Sequence, residues 1–296
     1  MMVIPGNSQH IGSRKEQQDS FGFSNINNRR FTSKSGGLVV VADGMGGLSQ
    51  GRQASQIAVK TFIKAYEQKK QDEKIPNALL RCIHESNDAV LEFAKSQGIE
   101  GKTGTTLVAA VVHNQDLYWI SVGDSRAYHL HQDKLTCLTT DHNYSITLDG
   151  LVAKGEISEE EASKDSNRNA LISFIGSDEL NLIGRNTSPI KCFEGDKILL
   201  CSDGLYSRFT EEQISSLLKG KAQEAAERIV KEKVLLNIKN QDNLTAAILE
   251  VLKIGDDVQS KKPSIFIWLA VLTTLILIAF STIFFNPFNF DKINNL

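Results

Sequence analysis

The residues best suited to chemistry in this chain are aspartates at the ends of apolar, strand-like runs. Five of them lie far apart in the sequence: Asp19, Asp43, Asp124, Asp203 and Asp242. Carboxylate oxygens are the ligands that Mg²⁺ and Mn²⁺ prefer, and a pair of such ions about 3.5–4 Å apart needs a bridging carboxylate and several terminal ones. One Asp-Gly pair alone is ordinary turn chemistry, whereas five such positions together predict a carboxylate-lined metal site.

Asp43 is the predicted centre of this site, as the carboxylate that bridges two cations. It follows Leu38–Ala42, five consecutive apolar residues that predict a strand covered on both faces. The end of a rigid strand would hold the carboxylate in place, and the glycine-rich turn after it would leave room for metals. Because Gly44 has no side chain, its own carbonyl oxygen could approach a cation. Asp203 repeats the Asp-Gly arrangement, and Asp124 lies in a predicted hairpin turn.

The elements that must position these carboxylates predict an α+β fold. Short connections between successive apolar runs indicate antiparallel strands: Thr105–His113, Leu117–Val122, Arg126–His131 and Lys134–Leu138. Apolar residues at three- and four-residue spacing predict one helix pair, Ser49–Glu67 with Pro76–Ala94. A second predicted pair is Thr210–Leu218 with Gln223–Leu236, and Thr210 with Gln213 is a capping-box pattern. Packed sheets with helices outside them are the arrangement that this order favours. Residues 25–37 are predicted to be a polar loop, and residues 141–166 an irregular excursion with one short acidic helix, Ser158–Ser163.

The composition of the chain argues against nucleic-acid binding and against a disulfide-stabilised fold. The 296 residues are 41% apolar and 23% charged with a net charge of −2, and no basic stretch carries interleaved aromatics. We therefore expect no nucleic-acid partner. The four cysteines are scattered and form no CxxC pair, which is typical of buried free thiols in a reducing compartment. His129 and His131 alternate on a predicted strand; they could form a transition-metal site, but a surface pair is the favoured interpretation.

The C-terminal part of the chain has a different character. Residues 264–285 are uncharged and rich in Ile, Leu, Val and Phe, and as a helix they would extend roughly 33 Å, enough for a bilayer core of about 30 Å. A buried core helix is less favoured because the run has no polar face. Lys261 and Lys262 precede the run, so the large N-terminal part is expected in the cytoplasm. The predicted organisation is a domain over 1–252, a linker over 253–263, a transmembrane helix over 264–285 and a short tail over 286–296.

Seven short segments, in order, carry a resemblance to a known family. They are RKEQQD (14–19), VVVADGMGG (39–47), TGTT (103–106), VGDSRAY (122–128), RNALISFIG (168–176), CSDGL (201–205) and QDNLT (241–245). Together they resemble the PPM family of metal-dependent serine/threonine protein phosphatases, the type 2C phosphatases, and most of all its compact bacterial branch. The resemblance extends over about residues 8–252.

The resemblance implies a four-layer α-β-β-α sandwich, in which two antiparallel sheets pack face to face with helix pairs outside. It implies hydrolysis of phosphoserine and phosphothreonine in proteins by a metal-activated water, with two Mn²⁺ or Mg²⁺ ions in the core site and a third ion in a weaker one. Phosphorylated proteins would be the substrates, and a Ser/Thr kinase near the membrane the opposing partner. Residues 141–166 would be the flap that borders the active site.

The family pattern also implies a role for each site residue. Asp43 would bridge two metals, with the Gly44 carbonyl on one of them and Asp203 and Asp242 on the other. Asp19 would act directly or through a metal-bound water, and Asp124 with Asp203 would form the third, weaker site. Arg14 would hold the substrate phosphate.

Two positions depart from the family pattern. Leu48 stands where many bacterial relatives have a histidine that is assigned to protonating the leaving group, and Gln17 stands where asparagine is usual. Without that histidine, cleavage of phosphoserine should be slowed more than cleavage of an aryl phosphate, whose phenolate leaves easily. The alternatives are therefore an active but selective or slow enzyme, in which a metal-bound water supplies the proton, and a catalytically impaired PPM-fold module that binds phosphoproteins. A structural membrane anchor is disfavoured by the intact set of aspartates.

Overall fold

The structure is a computed structural model, and it describes residues 2–46 and 50–252. The strands in these ranges are β1 (Met2–His10), β2 (Asp19–Phe23), β3 (Gly37–Gly46), β4 (Thr103–Thr105), β5 (Leu107–His113), β6 (Asp116–Val122), β7 (Arg126–His131), β8 (Lys134–Cys137), β9 (Gly184–Arg185), β10 (Ile190–Lys191), β11 (Lys197–Cys201) and β12 (Leu244–Leu252). The helices are α1 (Arg29–Ser35), α2 (Gln50–Glu67), α3 (Ile75–Gln97), α4 (Ser145–Ala153), α5 (Glu159–Lys164), α6 (Asp203–Tyr206), α7 (Glu211–Leu217) and α8 (Ala222–Leu235).

The strands form two antiparallel sheets. The first sheet has the order β1-β12-β11-β7-β8, and the second has the order β10-β6-β5-β3-β2, with β4 paired to β3 and β9 to β6. Every pairing between named strands is antiparallel within the described residues. Five of the ten pairings join sequentially adjacent strands, and two of these, β5 with β6 and β7 with β8, have the short connections that predict antiparallel pairing.

The alternation of side chains along β3 shows how the layers are built. Leu38, Val40 and Ala42 pack with residues of α2 and α3, whereas Val39 and Val41 pack with residues of the first sheet. All five are fully buried, which confirms a strand that is covered on both faces. A further apolar cluster joins the first sheet to α7 and α8. The result is the predicted α-β-β-α order, with helices on both outer faces.

The helix ends follow local sequence signals. α3 ends at Gly98, which adopts the left-handed conformation at φ 65° that glycine accommodates without strain. α7 begins at a capping box in which the Thr210 hydroxyl accepts from the Gln213 amide and the Gln213 side chain accepts from the Thr210 amide. These predicted boundaries are confirmed to within a few residues.

The predicted polar loop at residues 25–37 was wrong, because α1 occupies Arg29–Ser35. The Asn28 side chain caps this helix by accepting from the amides of Arg30 and Phe31 at 3.1 and 3.2 Å. Phe31 then packs against the core under the second sheet. A helix this short with a single packed residue has almost no apolar periodicity, so a capping residue was the available signal.

The connection through Asp124 is also not the predicted hairpin. β6 belongs to the second sheet and β7 to the first, so residues 123–125 carry the chain from one sheet to the other. The predicted strand Thr105–His113 is likewise divided into β4 and β5, with Thr106 between them. A short connection indicates spatial proximity, but it does not decide whether two strands pair or stack.

The excursion at residues 141–166 contains more helix than predicted. The short acidic helix is present as α5, with Ser158 and Glu161 forming its capping box. α4 precedes it at Ser145–Ala153, and its one buried residue is Leu148. Because α4 has no apolar stripe, its sequence lacks the 3.6-residue periodicity that indicates a packed helix, and the helix was therefore not predicted.

Four predicted features lie outside the described residues. These are Leu48 and the linker, transmembrane helix and tail at residues 253–296. Over residues 2–46 and 50–252, no helix has both the length and the apolar character needed to cross a membrane.

Candidate metal centre

The fold brings the five predicted aspartates to one end of the two sheets. Asp19 is the first residue of β2 and lies opposite Asp43 of β3 in the strand register. Asp203 begins α6 and is separated from β11 by one residue, Asp242 lies two residues before β12, and Asp124 lies in the crossing between β6 and β7. Asp43 is within electrostatic range of all four others. Five segments that are remote in sequence therefore deliver one carboxylate each to a common place.

Close backbone contacts explain why glycines accompany these aspartates. A Cβ atom on Gly44 would lie 2.1 Å from the Gly51 carbonyl oxygen at the start of α2. A Cβ atom on Gly204 would lie 2.0 Å from the Asn243 carbonyl oxygen. The absence of a side chain thus lets neighbouring backbones approach and draws the carboxylates together. Gly44–Gly46 is not the predicted turn, because it continues β3 and pairs with β4. The Gly44 amide donates to the Gln18 carbonyl at 3.2 Å.

Threonines of the TGTT segment fix the position of Asp43. The Asp43 amide donates to the Thr106 hydroxyl at 2.9 Å, and the Thr105 hydroxyl donates to the Asp43 carbonyl at 2.8 Å. The Thr106 hydroxyl also pairs with that of Ser125 at 2.7 Å, next to Asp124. These contacts use the backbone of Asp43, so its carboxylate stays available for other partners. The TGTT segment belongs to the family resemblance, but nothing in the sequence indicates that its hydroxyls hold Asp43.

Asp19 is held by hydroxyl donors and keeps one oxygen unpaired. The Ser202 and Thr245 hydroxyls both donate to its Oδ2 atom, at 2.7 and 2.6 Å. Its Oδ1 atom is buried and has no hydrogen-bond partner, and the residue is only 4% exposed. Ser202 and Thr245 flank Asp203 and Asp242, so the same donors link three of the aspartate segments. A buried carboxylate oxygen without a partner is costly unless a cation is there to accept its charge.

Arg14 contacts the cluster through Asp242. Its Nε and Nη2 atoms donate to the two carboxylate oxygens at 2.8 and 2.6 Å, a bidentate pair. Asn243 anchors the loop that carries Arg14, since its side chain donates to the Ile11 and Glu16 carbonyls and accepts from the Gln18 amide. The structure thus places Arg14 against a carboxylate of the cluster, with its guanidinium largely exposed.

The electrostatics of the cluster are unfavourable without added positive charge. Burial, and then the Asp19 and Asp203 carboxylates, raise the pKa of Asp43 well above its usual value. Burial raises the pKa of Asp19 to about 6 despite its two hydroxyl donors, and burial with the Asp203 charge raises the pKa of Asp124 to about 7. Burial and the Asp242 charge also raise the pKa of Asp203, although it shares a hydrogen bond with Asp43. Convergent carboxylates of this kind lose their mutual repulsion when a cation binds among them.

The donor set fits hard divalent cations. All five side chains offer oxygen atoms, and Asp19, with its unpartnered oxygen, lies within electrostatic range of Asp203 and Asp242. Within the described residues, no three of these aspartates bring carboxylate oxygens within 4.8 Å of one another. Because Mg²⁺ holds its oxygen ligands at about 2.0–2.1 Å, ion binding would draw these carboxylates closer together than they lie here. The assignment of individual ligands, including the Gly44 carbonyl, stays a prediction.

The base of the flap is tied to the Asp124 crossing. Arg126 donates to both oxygens of Asp141 at 2.8 and 2.7 Å, and its guanidinium lies 3.9 Å from the Tyr206 ring centroid. The Tyr206 hydroxyl donates to the Asp124 carbonyl at 3.1 Å. His142 is buried, and its Nδ1 atom accepts from the Gly123 amide at 3.2 Å. The first two residues of the flap, Asp141 and His142, therefore hold the backbone on both sides of Asp124.

With this geometry in view, comparison with known proteins identifies the family. The protein phosphatase 2C family matches residues 7–237. The serine/threonine phosphatase stp of Listeria innocua is 33% identical over 222 residues, which cover 72% of this chain and 84% of that protein. This chain belongs to the protein phosphatase 2C family.

Solved structures agree with this assignment. The crystal structure of the Mycobacterium tuberculosis serine/threonine phosphatase PstP/Ppp matches with a TM-score of 0.69 and 25% identity, over 86% of this chain and 100% of that one. The catalytic domain of PstP in complex with two manganese ions matches with a TM-score of 0.66 and 26% identity, over 85% of this chain and 99% of that one. A relative with the same fold therefore holds two ions of the kind that the aspartate cluster fits.

Proposed function

We propose that this protein is a metal-dependent serine/threonine protein phosphatase that hydrolyses phosphoserine and phosphothreonine in proteins. The observation that carries the proposal is the convergence of five carboxylates from five separate segments, with Arg14 at their edge. The serine/threonine phosphatases among the relatives and the two manganese ions in PstP support it. Two Mn²⁺ or Mg²⁺ ions, when bound, lower the pKa of a coordinated water and so supply a nucleophile near neutral pH.

The residues of the chain have separate tasks in this function. Asp43, central among the acids, would hold both cations, while Asp203 and Asp242 would hold one of them. Asp19 would act from its unpartnered oxygen, and Asp124 with Asp203 would hold a third ion. The buried hydroxyls around Asp19 and Asp43 fix the carboxylates before substrate arrives, which lowers the cost of reorganising them during the reaction. None of the cysteines takes part.

Arg14 would bind the phosphoryl group of the substrate. Its fork of donors already holds two carboxylate oxygens, and two phosphoryl oxygens present nearly the same acceptor geometry. Because Arg14 and Asp242 are 57% and 38% exposed, their ion pair adds little stability and can exchange partners. Leu48 has no proton to donate, so departure of the serine or threonine oxygen depends on a proton from water.

Replacing Arg14 by alanine should lower kcat/KM for a phosphothreonine peptide by roughly 10- to 100-fold, since charge-assisted hydrogen bonds are worth about 1.5–3 kcal/mol. Arg14→Lys should restore part of the loss, because it keeps the charge without the bidentate geometry. The Mn²⁺ concentration for half-maximal activity should change little. Lys15→Ala, which removes the adjacent exposed cation, is the matched control. An unchanged kcat/KM in Arg14→Ala would contradict the assignment.

We also propose that residues 264–285 anchor the enzyme in a membrane as a single span, with the phosphatase domain on the cytoplasmic side. Support comes from the uncharged apolar run and from Lys261 and Lys262 before it. Proteins phosphorylated by a Ser/Thr kinase near that membrane would then be the substrates.

The full-length chain should sediment with membranes and leave them only in detergent. A chain that ends at residue 252 should stay in the supernatant and keep its metal-dependent turnover of p-nitrophenyl phosphate. Protease added to sealed inside-out vesicles should digest the phosphatase domain. Full-length protein that is extracted by alkaline carbonate alone would argue against the span.

A further inference from the structure

A second cluster of metal-binding side chains lies away from the aspartates, where β7 meets the connection from β10 to β11. It consists of His129, His131, Cys192 and Asp196. His129, Cys192 and Asp196 are buried, and their potential ligand atoms all lie within 4.8 Å of one another. No other such group occurs in residues 2–46 and 50–252. The interpretation of His129 and His131 as a surface pair was therefore wrong.

The strand register places both imidazoles on the same side of β7. Ala127, two residues before His129, packs in the layer between the sheets, and so does Cys192. Tyr128 and Leu130, which alternate with the histidines, pack towards α7 and α8 instead. Because alternate residues of a strand face the same side, His129 and His131 both project towards the space between the sheets. Sequence alone gives that alternation but does not reveal which face is covered.

The distances in the cluster link all four side chains. His129 Nε2 lies 2.8 Å from Asp196 Oδ2 and 3.8 Å from Cys192 Sγ. His131 Nδ1 lies 2.7 Å from Asp196 Oδ1. The Phe193 amide donates to Asp196 Oδ2 at 2.9 Å and so fixes the carboxylate. His129, Cys192 and Asp196 offer three ligands of the types found in four-coordinate zinc sites, and half-exposed His131, which is not part of that close group, would turn towards the ion as the fourth.

We propose that His129, His131, Cys192 and Asp196 form a binding site for a thiophilic transition-metal ion such as Zn²⁺, separate from the aspartate cluster. The ligand types distinguish the two sites, because a thiolate with imidazoles selects Zn²⁺ over Mg²⁺ and Mn²⁺. Burial and the Asp196 charge raise the pKa of the Cys192 thiol to about 12 in the protein without metal. Metal binding would release that proton, as it does for coordinating thiols generally.

The cluster lies beside a cavity, and its side chains come from both sheets. A cavity of about 470 Å³ is lined by His131 and Asp196 together with exposed residues such as Phe193 and Lys219, so two of the four side chains can be approached from solvent. His129 and His131 belong to the first sheet, whereas Cys192 directly follows β10 of the second sheet. A metal held by both would fasten the two sheets together at this edge. The site would therefore be structural, with its ligands closed around the ion.

Cobalt(II) is a selective probe of this site, because a thiolate ligand gives an intense near-ultraviolet charge-transfer band that oxygen ligands do not. The reduced full-length chain is titrated with Co²⁺ in excess Mg²⁺, which occupies the aspartate cluster. We expect the band to saturate at one equivalent per chain and to disappear on addition of Zn²⁺. Cys192→Ser should abolish the band, whereas Cys137→Ser, which removes a thiol on the opposite side of the first sheet, should retain it.

Half-exposed His131 provides a second variant that disturbs the core less. His131→Gln should weaken Co²⁺ binding more than about tenfold, the lower range for losing even an outer partner of a metal ligand. Phosphatase activity should persist in both variants. The proposal is overturned if the folded, reduced chain shows no thiolate band, or if the band survives in Cys192→Ser. In that case Asp196 serves only as a hydrogen-bond partner of the two histidines.

Discussion

Asp43→Asn should lose Mn²⁺-dependent turnover of p-nitrophenyl phosphate by on the order of 10³-fold or more, because the central carboxylate of the site becomes neutral. Asp43 faces all four other aspartates, so no neighbour can substitute for it as the shared ligand. The exchange is nearly isosteric. The hydrogen bonds that Thr105 and Thr106 make to residue 43 use its backbone and should persist. The variant should therefore fold normally.

The matched control for this experiment is Asp149→Asn, which removes an exposed aspartate that pairs with Arg168 at 3.1 Å on the flap. It should keep wild-type turnover within about twofold, since an exposed ion pair contributes little. Circular dichroism would verify the fold of both variants. Residual turnover above about a tenth of wild type in Asp43→Asn would contradict a bridging role. If the wild-type protein showed no Mn²⁺-dependent turnover, the result would instead favour the alternative function, a catalytically impaired module that binds phosphoproteins and has Leu48 in place of the usual histidine.

The metal-free protein should become less stable as the pH rises from about 5 to 7.5, and Mn²⁺ should reverse the loss. The pKa of Asp19 is raised to about 6 and that of Asp124 to about 7, above the ordinary value near 3.8. Between these pH values the folded chain binds more protons than the unfolded chain, so the free energy of unfolding falls with rising pH. A shift of two pKa units corresponds to about 3 kcal/mol, which makes the summed effect a few kcal/mol.

Urea unfolding at several pH values, with EDTA or with Mn²⁺, measures this dependence. Burial lowers the pKa of His142, and that residue therefore changes stability with pH in the opposite direction. The informative quantity is the difference between wild type and Asp43→Asn, since both contain His142. Without metal, the free energy of unfolding of Asp43→Asn should fall less with rising pH than that of the wild type, because one carboxylate of the cluster no longer ionises. A wild-type stability that is flat or rises from pH 5 to 7.5 in EDTA would refute the electrostatic account.

Structural features that depend on local chemistry could be predicted from the sequence. The continuous apolar run Leu38–Ala42 predicted a buried strand, and the capping box at Thr210 predicted the start of a helix. Both predictions are confirmed because each effect acts over a few consecutive residues. α1 and α4 were not predicted as helices, since their stability depends on one or two packed residues rather than on a periodic face. The crossing of the chain from one sheet to the other at Asp124 was not predicted, because the residues of a turn do not determine whether the two strands beside it will pair.

The aspartates, their glycine partners and the family motifs could be identified without the structure, since they are residue types in a fixed order. The side chains that surround the aspartates depend on the packing of the whole fold. The hydroxyls of Ser202 and Thr245 meet Asp19 across 183 and 226 residues of chain, and the bidentate contact of Arg14 spans 228. The burial of His129 beside Cys192 was decided in the same way, because the face of a strand that becomes covered depends on the second sheet. Contacts of this range arise from the packing of whole layers, which no local pattern encodes.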